Sequence, residues 1–192
     1  MRVLITGVTG LVGSHLARHI IGERGHQLFG FKRWRSSTAP LADILDRVEL
    51  IEGDVTDPSS VEAAVVCARP HRLYHVAAQS YPSESMLAPN ATLVTNVLGT
   101  VNVLEAVRRL APDCRVHLAC SSAQYGLVAP EEVPISEERP CRPVNPYGVS
   151  KLARATGWGP QVPFEQTLAG VLAHWRERLE RQVPASVATG PA

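Results

Sequence analysis

The chain has 192 residues, of which 45% are hydrophobic and 19% charged, and its formal net charge is +1. This length and composition are typical of one globular domain that buries a core without disulfides or metals. So small a net charge gives no reason to expect nucleic acid or an acidic membrane surface as a partner. No apolar run approaches the ~20 residues of a membrane span, and Arg2 leads straight into a strand-like run. We therefore expect a cytoplasmic protein.

The four cysteines, Cys67, Cys114, Cys120 and Cys141, form no C-x-x-C pair. Two of them lie in apolar runs, which favours buried free thiols in a reducing compartment. Neither a disulfide framework nor a metal site is expected.

Apolar runs alternate with helical patterns along the first 120 residues. The β-branched run RVLIT predicts a buried first strand, and LVGSHLARHIIGERG predicts a helix that ends at Gly25. Further strands are predicted at HQLFGFKR, VELIEGD, RLYHVAA and RVHLACSS. Further helices are predicted at DPSSVEAAVVCARP, capped by Asp57 or Ser59, and at NATLVTNVLGTVNVLEAVRRLAP. The alternation predicts an α/β fold with a doubly wound parallel sheet of about five strands.

The last third of the chain has a different pattern. Residues 129–145 are rich in proline and acidic residues, which predicts a loop. The segment FEQTLAGVLAHWRERLERQ has its apolar residues on one face, which predicts an amphipathic helix. Residues 184–192 are small and predict a frayed tail.

A glycine-rich segment joins the first strand to the first helix. Its spacing, Thr6-Gly7-x-x-Gly10-x-x-Gly13, is a dinucleotide-binding fingerprint in the context that such a fingerprint needs. Gly7 permits the tight turn, Gly10 lets the backbone approach a pyrophosphate, and Gly13 lets the helix pack against the sheet. The predicted contacts at this turn are Thr6, Gly7, Gly10, Leu11, Val12 and Gly13.

The end of the second strand selects between the two nicotinamide dinucleotides. An acidic residue there binds the ribose hydroxyl of NAD, whereas arginine accommodates the 2′-phosphate of NADP. The segment FKRWRSST has Lys32, Arg33 and Arg35 and no acid, so NADP is favoured over NAD. In GDVTD after the third strand, Asp54 and Val55 are predicted to face the adenosine, although Asp-x-x-Asp is also typical of a helix cap.

Tyr147 and Lys151 are four residues apart, which places them on one face of a helix. Only two of the 19 basic residues are lysines, so this coincidence is informative. An ammonium near a phenol lowers the phenol's pKa from about 10, which makes the tyrosine a usable acid or base. CSSAQYG ends the fifth strand and offers Ser121 or Ser122 to a substrate oxygen.

Together these segments resemble the extended short-chain dehydrogenase/reductase family of sugar-nucleotide epimerases and dehydratases. The motifs occur in that family's order over residues 1–151: TGVTGLVG, GDVTD, HVAAQS, NVLGTVNVLEA, SSAQYG and NPYGVSK. HVAAQS and RWRS are most similar to the branch of GDP-mannose 4,6-dehydratases and 4-keto-6-deoxy-mannose reductases.

The resemblance implies a Rossmann domain at 1–151 and a role for each matching residue. Tyr147 is implied as the acid/base, Lys151 as its tuner and a ribose ligand, and Ser121 as the hydroxyl that orients the sugar's C4 oxygen. Hydride then passes between that C4 carbon and the nicotinamide. Ala77, Ala78 and Gln79 are implied to line the cofactor, with Asn96 supporting the adjacent helix. The family commonly dimerises through the helices that contain Asn96 and Tyr147.

Two features depart from the family's pattern. Dehydratases carry a glutamate three residues before the glycine of the YG step, where this chain has Ala123 followed by Gln124. Reduction or epimerisation therefore fits better than dehydration. In addition, residues 152–183 resemble the extreme C-terminus of the family, so we hypothesise an internal deletion joined at Ser150-Lys151-Leu152.

Two functions follow from the sequence. One is an NADP-dependent oxidoreductase of a nucleotide sugar, and the other is a non-catalytic dinucleotide-binding remnant without a substrate domain.

Overall fold

Five parallel strands form the centre of the computed structural model, which describes residues 1–155. They are β1 (Arg2–Thr6), β2 (Gln27–Lys32), β3 (Val48–Glu52), β4 (Arg72–His75) and β5 (Arg115–Leu118). Their order in the sheet is β3-β2-β1-β4-β5, and every pairing is parallel. The predicted doubly wound α/β fold is confirmed.

Six α-helices accompany these strands among the described residues. They are α1 (Leu11–Gly22), α2 (Pro58–Ala68), α3 (Pro82–Leu87), α4 (Pro89–Leu93), α5 (Gly99–Leu110) and α6 (Pro146–Ala155). A π-helical turn, Val94–Leu98, joins α4 to α5, so the long helix predicted there is confirmed but has a wide turn inside it. The first helix ends at Gly22, and Gly25 lies in the turn beyond it with φ of 86°.

Both faces of the sheet are buried, as strands in a parallel sheet require. On one face, Leu4 and Phe29 pack with residues of α2 and α5 such as Val65 and Val103. On the other, Ile5 packs with Ala17 of α1 and its neighbours. The alternation of Leu4 and Ile5 in β1 therefore places one helical layer on each side of the sheet.

The predicted burial of the four thiols is wrong. Cys67 and Cys120 are exposed and Cys114 and Cys141 are half-buried, although all four are free. Cys67 fails the prediction because it lies on the outer side of α2, with its Sγ 3.8 Å from the carboxylate of Glu49. Partial burial raises the pKa of the Cys114 thiol.

The predicted amphipathic helix within 152–183 and the tail at 184–192 lie outside the described residues, so both stay predictions. Within the described part of the chain, no helix is long and apolar enough to cross a membrane. The proposed junction falls inside α6, which is helical from Pro146 to Ala155.

Candidate functional site

The glycine-rich turn holds the start of α1 tightly against the end of β1. Gly7 has φ of 71°, and its N–H donates to the carbonyl of Phe31 at 2.9 Å. A Cβ on Gly13 would lie 2.8 Å from the Cα of Val8 and also overlap the carbonyl oxygen of Gly7. A Cβ on Gly10 would approach only that carbonyl, at 3.3 Å. Gly7 and Gly13 thus shape the turn, and Gly10 leaves the space in front of α1 open.

The first turn of α1 is available to an anion. Gly10 is the N-cap and provides no side-chain cap, and the first turn contains no acidic residue. Leu11 and Val12 are 78% and 62% exposed there. The first N–H groups of a helix have no partner within it, and the helix dipole adds partial positive charge at this end. A pyrophosphate fits this position.

A cavity of about 640 Å³ opens in front of this turn, within the usual range of ligand sites. Most of the predicted cofactor residues line it: Gly7, Gly10, Leu11, Val12, Gly13, Lys32, Arg33, Asp54, Val55, Ala77, Ala78 and Gln79. The other predicted residues are not in its wall: Thr6, Arg35, Asn96, Ser121, Tyr147 and Lys151.

The sequence did not indicate several lining residues: Thr9, Phe31, Ser36, Gly53, Val76, Ser80, Tyr81, Ala91 and Thr95. Most of them directly flank predicted ones, and that adjacency is the signal that could have found them. The Oε1 atom of Gln79 is buried without a hydrogen-bond partner in the described part of the chain. A ligand donor in the cavity would satisfy it, so the residues present fit a bound dinucleotide.

The three basic side chains at the end of β2 and after it lie in different environments. Lys32 is buried and its Nζ lies 2.7 Å from Oε1 of Glu52. The guanidinium carbon of Arg35 lies 4.3 Å from the centroid of the Trp34 ring. Arg33 is exposed and lines the cavity. Of the three basic side chains, only that of Arg33 is both exposed and at the cavity.

The two aspartates after β3 have different tasks. Asp57 is the N-cap of α2 and accepts from the amides of Ser59 and Ser60 at 3.2 and 3.1 Å. The Ser60 hydroxyl and these amides hold the pKa of the Asp57 carboxyl below its ordinary value. Asp54 lines the cavity, and its Oδ1 accepts from the amide and hydroxyl of Thr56 at 2.9 and 2.8 Å. The capping alternative therefore applies to Asp57 and leaves Asp54 at the cavity.

A buried chain of hydrogen bonds runs from β1 to the π-helical turn. The Thr6 hydroxyl lies 2.6 Å from Nδ1 of His75, and Nε2 of His75 lies 3.1 Å from the Thr100 hydroxyl. Thr100 donates its proton to the carbonyl of Asn96 at 2.6 Å, so it accepts from Nε2–H of His75. Thr6 then donates to Nδ1 and accepts from the amide of Ala77 at 3.3 Å. The glycine-rich turn and the loop after β4 are thereby fixed to one another.

Asn96 joins this region to α6 and is completely buried. Its Oδ1 accepts from the amide of Gln79 at 2.8 Å, and its Nδ2 donates to the carbonyl of Gln79 at 3.0 Å. The same Nδ2 donates to the hydroxyl of Ser150 at 2.9 Å, which in turn donates to the carbonyl of Tyr147 at 2.7 Å. Asn96 therefore bridges the cavity wall and α6 directly, and its role beside a bound cofactor stays a prediction.

Tyr147 and Lys151 lie on one face of α6, close to the turn that contains Ser121. Nζ of Lys151 is 5.5 Å from the centroid of the Tyr147 ring and donates to the carbonyl of Ala119 at 2.9 Å. The Ser121 hydroxyl accepts from the amide of Ala123 at 3.2 Å and caps the turn Ser122–Tyr125. A Cβ on Gly148 would lie 2.6 Å from the carbonyl oxygen of Ala123, so glycine there permits this close approach.

Ala123 occupies the position where a dehydratase base is expected and has no ionisable group. Gln124 beside it has a buried Oε1 without a hydrogen-bond partner among residues 1–155. Tyr147 provides a phenol hydroxyl, but neither Ala123 nor Gln124 provides a carboxylate.

Comparisons with known proteins agree with this geometry. The family model described as GDP-mannose 4,6 dehydratase matches residues 4–158. GDP-mannose 4,6-dehydratase of Yersinia enterocolitica is 36% identical over 162 residues, with 79% of this chain and 43% of that protein covered. UDP-glucose 4-epimerase of Mycolicibacterium smegmatis is 31% identical over 156 residues, with 80% and 49% covered.

A solved structure of a related epimerase also matches this chain. The structure of UDP-glucose 4-epimerase from Thermus thermophilus in complex with NAD is 33% identical, with a TM-score of 0.71 over 80% of this chain and 48% of that one. The chain thus spans a little under half the length of these relatives. A family match over most of the chain, with the collinear motifs in place, shows that it belongs to the GDP-mannose 4,6-dehydratase family of extended short-chain dehydrogenases/reductases.

Proposed function

We propose that the chain binds a nicotinamide dinucleotide in the cavity in front of α1. The observation that carries this proposal is the open, uncapped and acid-free first turn of α1, which opens into a cavity of about 640 Å³. NAD-bound epimerases of similar fold support it. The backbone of residues 10–13 would hold the pyrophosphate, and Asp54 and Val55 would face the adenosine.

NADP is the proposed form of the dinucleotide. Arg33 and Ser36 both line the cavity after β2, where a 2′-phosphate would lie. The segment between β2 and the turn at Ala39–Leu41 contains no acid that would select the ribose hydroxyl of NAD.

The proposed reaction is oxidoreduction at C4 of a nucleotide sugar. The bound nicotinamide supplies or accepts the hydride at that carbon. Tyr147 gives a proton to the C4 oxygen when the sugar is reduced and takes it back when the sugar is oxidised. Nζ of Lys151 lies 5.5 Å from the centroid of the Tyr147 ring, where an ammonium would favour the phenolate, and Ser121 orients the same oxygen. Since Ala123 cannot remove a C5 proton, reduction or epimerisation is proposed over dehydration.

A second candidate is dinucleotide binding without turnover. It follows from the hypothesis that the chain contains an internal deletion, because residues 152–183 resemble the extreme C-terminus of the family. The proposed internal deletion at Ser150-Lys151-Leu152 would remove the part that grips the nucleotide sugar. Long-read sequencing of the native locus tests that deletion, and an intact longer reading frame there would contradict it.

The experiment that separates the two candidates uses the purified full chain. NADPH and NADH are titrated by calorimetry, and turnover is then measured with GDP-4-keto-6-deoxymannose and with UDP- and GDP-sugars. Binding with turnover supports the oxidoreductase, and binding without turnover supports the second candidate. Absence of binding to either dinucleotide refutes both.

We also propose a homodimer formed through the helices that contain Asn96 and Tyr147. The resemblance to a family that commonly dimerises through these helices supports the proposal, and Leu104 of α5, 36% exposed, leaves apolar surface there. Light scattering after gel filtration tests it, and a monomer at micromolar concentration would contradict it. A cytoplasmic location stays a prediction from the sequence.

A further inference from the structure

Lys32 is buried although it is the last residue of β2 and precedes the exposed Arg33. The residue is 7% exposed. Its Nζ lies 2.7 Å from Oε1 of Glu52 and 3.3 and 3.5 Å from the carbonyl oxygens of Arg33 and Trp34. An ammonium has three N–H donors, and these acceptors are also three. Nζ is thus surrounded by acceptors of this chain, of which Glu52 is the nearest.

Two of these acceptors belong to the turn that follows β2, so Lys32 fixes the shape of that turn. The amide of Ser36 donates to the carbonyl of Arg33 at 2.9 Å, which closes the turn. Arg33 and Ser36 are thereby both brought to the cavity. Within residues 1–155, no hydrogen bond or ion pair engages the Arg33 guanidinium. That guanidinium is the group available to an anion.

Glu52, the charged partner of Lys32, is not in the cavity wall but directly precedes Gly53, which is. It is the last residue of β3 and lies opposite Lys32 in the parallel register. Its side chain is 60% exposed. Without a partner, its carboxylate would add negative charge beside the Arg33–Ser36 turn and would repel a 2′-phosphate bound there. Pairing with Lys32 neutralises it.

We infer that Lys32 is a positioning residue for dinucleotide selectivity: by pairing with Glu52 and holding the Arg33–Ser36 turn, it favours a ligand with a 2′-phosphate that Arg33 contacts directly. This inference rests on the proposed function, because it concerns the same cavity. It differs from the expectation drawn from the sequence, in which Lys32 itself was a cofactor contact.

The test is a double-mutant cycle on the full chain, with the Kd of NADPH and of NADH measured by calorimetry. Lys32→Met removes the charge and keeps the length of the side chain. We expect it to weaken the binding of NADPH about tenfold, because the charge of Glu52 is then unpaired close to the turn that holds Arg33. The Kd of NADH should change by no more than about twofold. In the Glu52→Gln background, Lys32→Met should raise the Kd of NADPH less than threefold. Selectivity is the readout, since a loss of structure alone would weaken both ligands together.

Three results overturn the inference. One is an unchanged ratio of the NADPH and NADH Kd values in Lys32→Met. Another is an equal loss of NADPH affinity on Lys32→Met whether residue 52 is Glu or Gln, which would make Lys32 a direct ligand. If Lys32→Met fails to fold, Arg33→Ala is measured instead and should weaken the binding of NADPH at least tenfold. The control is Arg24→Ala at an exposed position, which should leave both Kd values unchanged. Unchanged NADPH binding in Arg33→Ala refutes the inference. If the unmodified chain binds neither dinucleotide, the proposed function itself fails.

Discussion

Replacing Asn96 by alanine tests the bridge between the cavity wall and α6. The substitution removes three hydrogen bonds from a side chain that is completely buried, two to the backbone of Gln79 and one to the Ser150 hydroxyl. The alanine leaves the N–H and C=O of Gln79 without these side-chain partners. The loss therefore falls on the stability of the fold as well as on the site.

The magnitude follows from the number of bonds. A hydrogen bond within a protein contributes about 1 kcal/mol net, so three of them give a loss of about 3 kcal/mol in the free energy of unfolding. Asn102→Ala is the matched control, because Asn102 makes one such bond, from its Nδ2 to the carbonyl of Val55 at 2.9 Å. Its expected loss is about 1 kcal/mol.

Urea unfolding followed by circular dichroism measures both variants. With an unchanged slope, the midpoint of each transition reports the change in stability directly. We expect the midpoint of Asn96→Ala to fall about three times as far as that of Asn102→Ala. Equal shifts would refute the argument that Asn96 holds two elements together.

Three further predictions concern the cofactor turn, the proton donor and acid stability. Gly13→Ala should weaken dinucleotide binding at least tenfold, because its Cβ would lie 2.8 Å from the Cα of Val8. Gly22→Ala is the control and should leave the calorimetric Kd unchanged, because its Cβ meets nothing within 4 Å. Equal effects of the two substitutions would contradict the role of the turn. Tyr147→Phe should lower turnover of a sugar substrate at least ~100-fold and leave the NADPH Kd within about twofold, and undiminished turnover would remove Tyr147 from the mechanism. Since the pKa of the Asp57 carboxyl is lowered in the folded state, its stabilising effect is present above its ordinary value of about 3.9 and is lost as the pH falls below it. Urea midpoints between pH 6 and pH 3 should therefore fall less for Asp57→Asn than for the unmodified chain, and parallel curves would contradict this.

The sheet and the cofactor turn could be predicted because their signals are local. RVLIT followed by Thr6-Gly7-x-x-Gly10-x-x-Gly13 contains the strand, the turn and the helix start within one short segment. The helix α3 could not be predicted, because six residues are too few to show a helical period. The environment of Lys32 was not predictable either, since its partner Glu52 lies 20 residues away and becomes a neighbour only when β2 and β3 pair.

The prediction for Asn96 came from family resemblance, whereas its hydrogen bonds are visible only in the structure. Its partners, Gln79 and Ser150, are 17 and 54 residues distant along the chain. No pattern in the sequence marks a side chain that bonds two distant segments at once. The predicted burial of the thiols was wrong for a related reason. An apolar run places Cys67 in α2 but does not decide which side of the helix faces the sheet.

The π-helical turn at Val94–Leu98 changes the phase of the long helix by one residue. Each residue of an α-helix advances by about 100°, so a regular helix through this segment would rotate everything on one side of it by that angle relative to the other. Asn96 could then point toward Gln79 and Ser150 only if α5 turned Val103 away from the core. A helical wheel drawn across 89–110 therefore mixes two different faces, and any deletion of one residue within the turn would separate the bridge from the core that supports it.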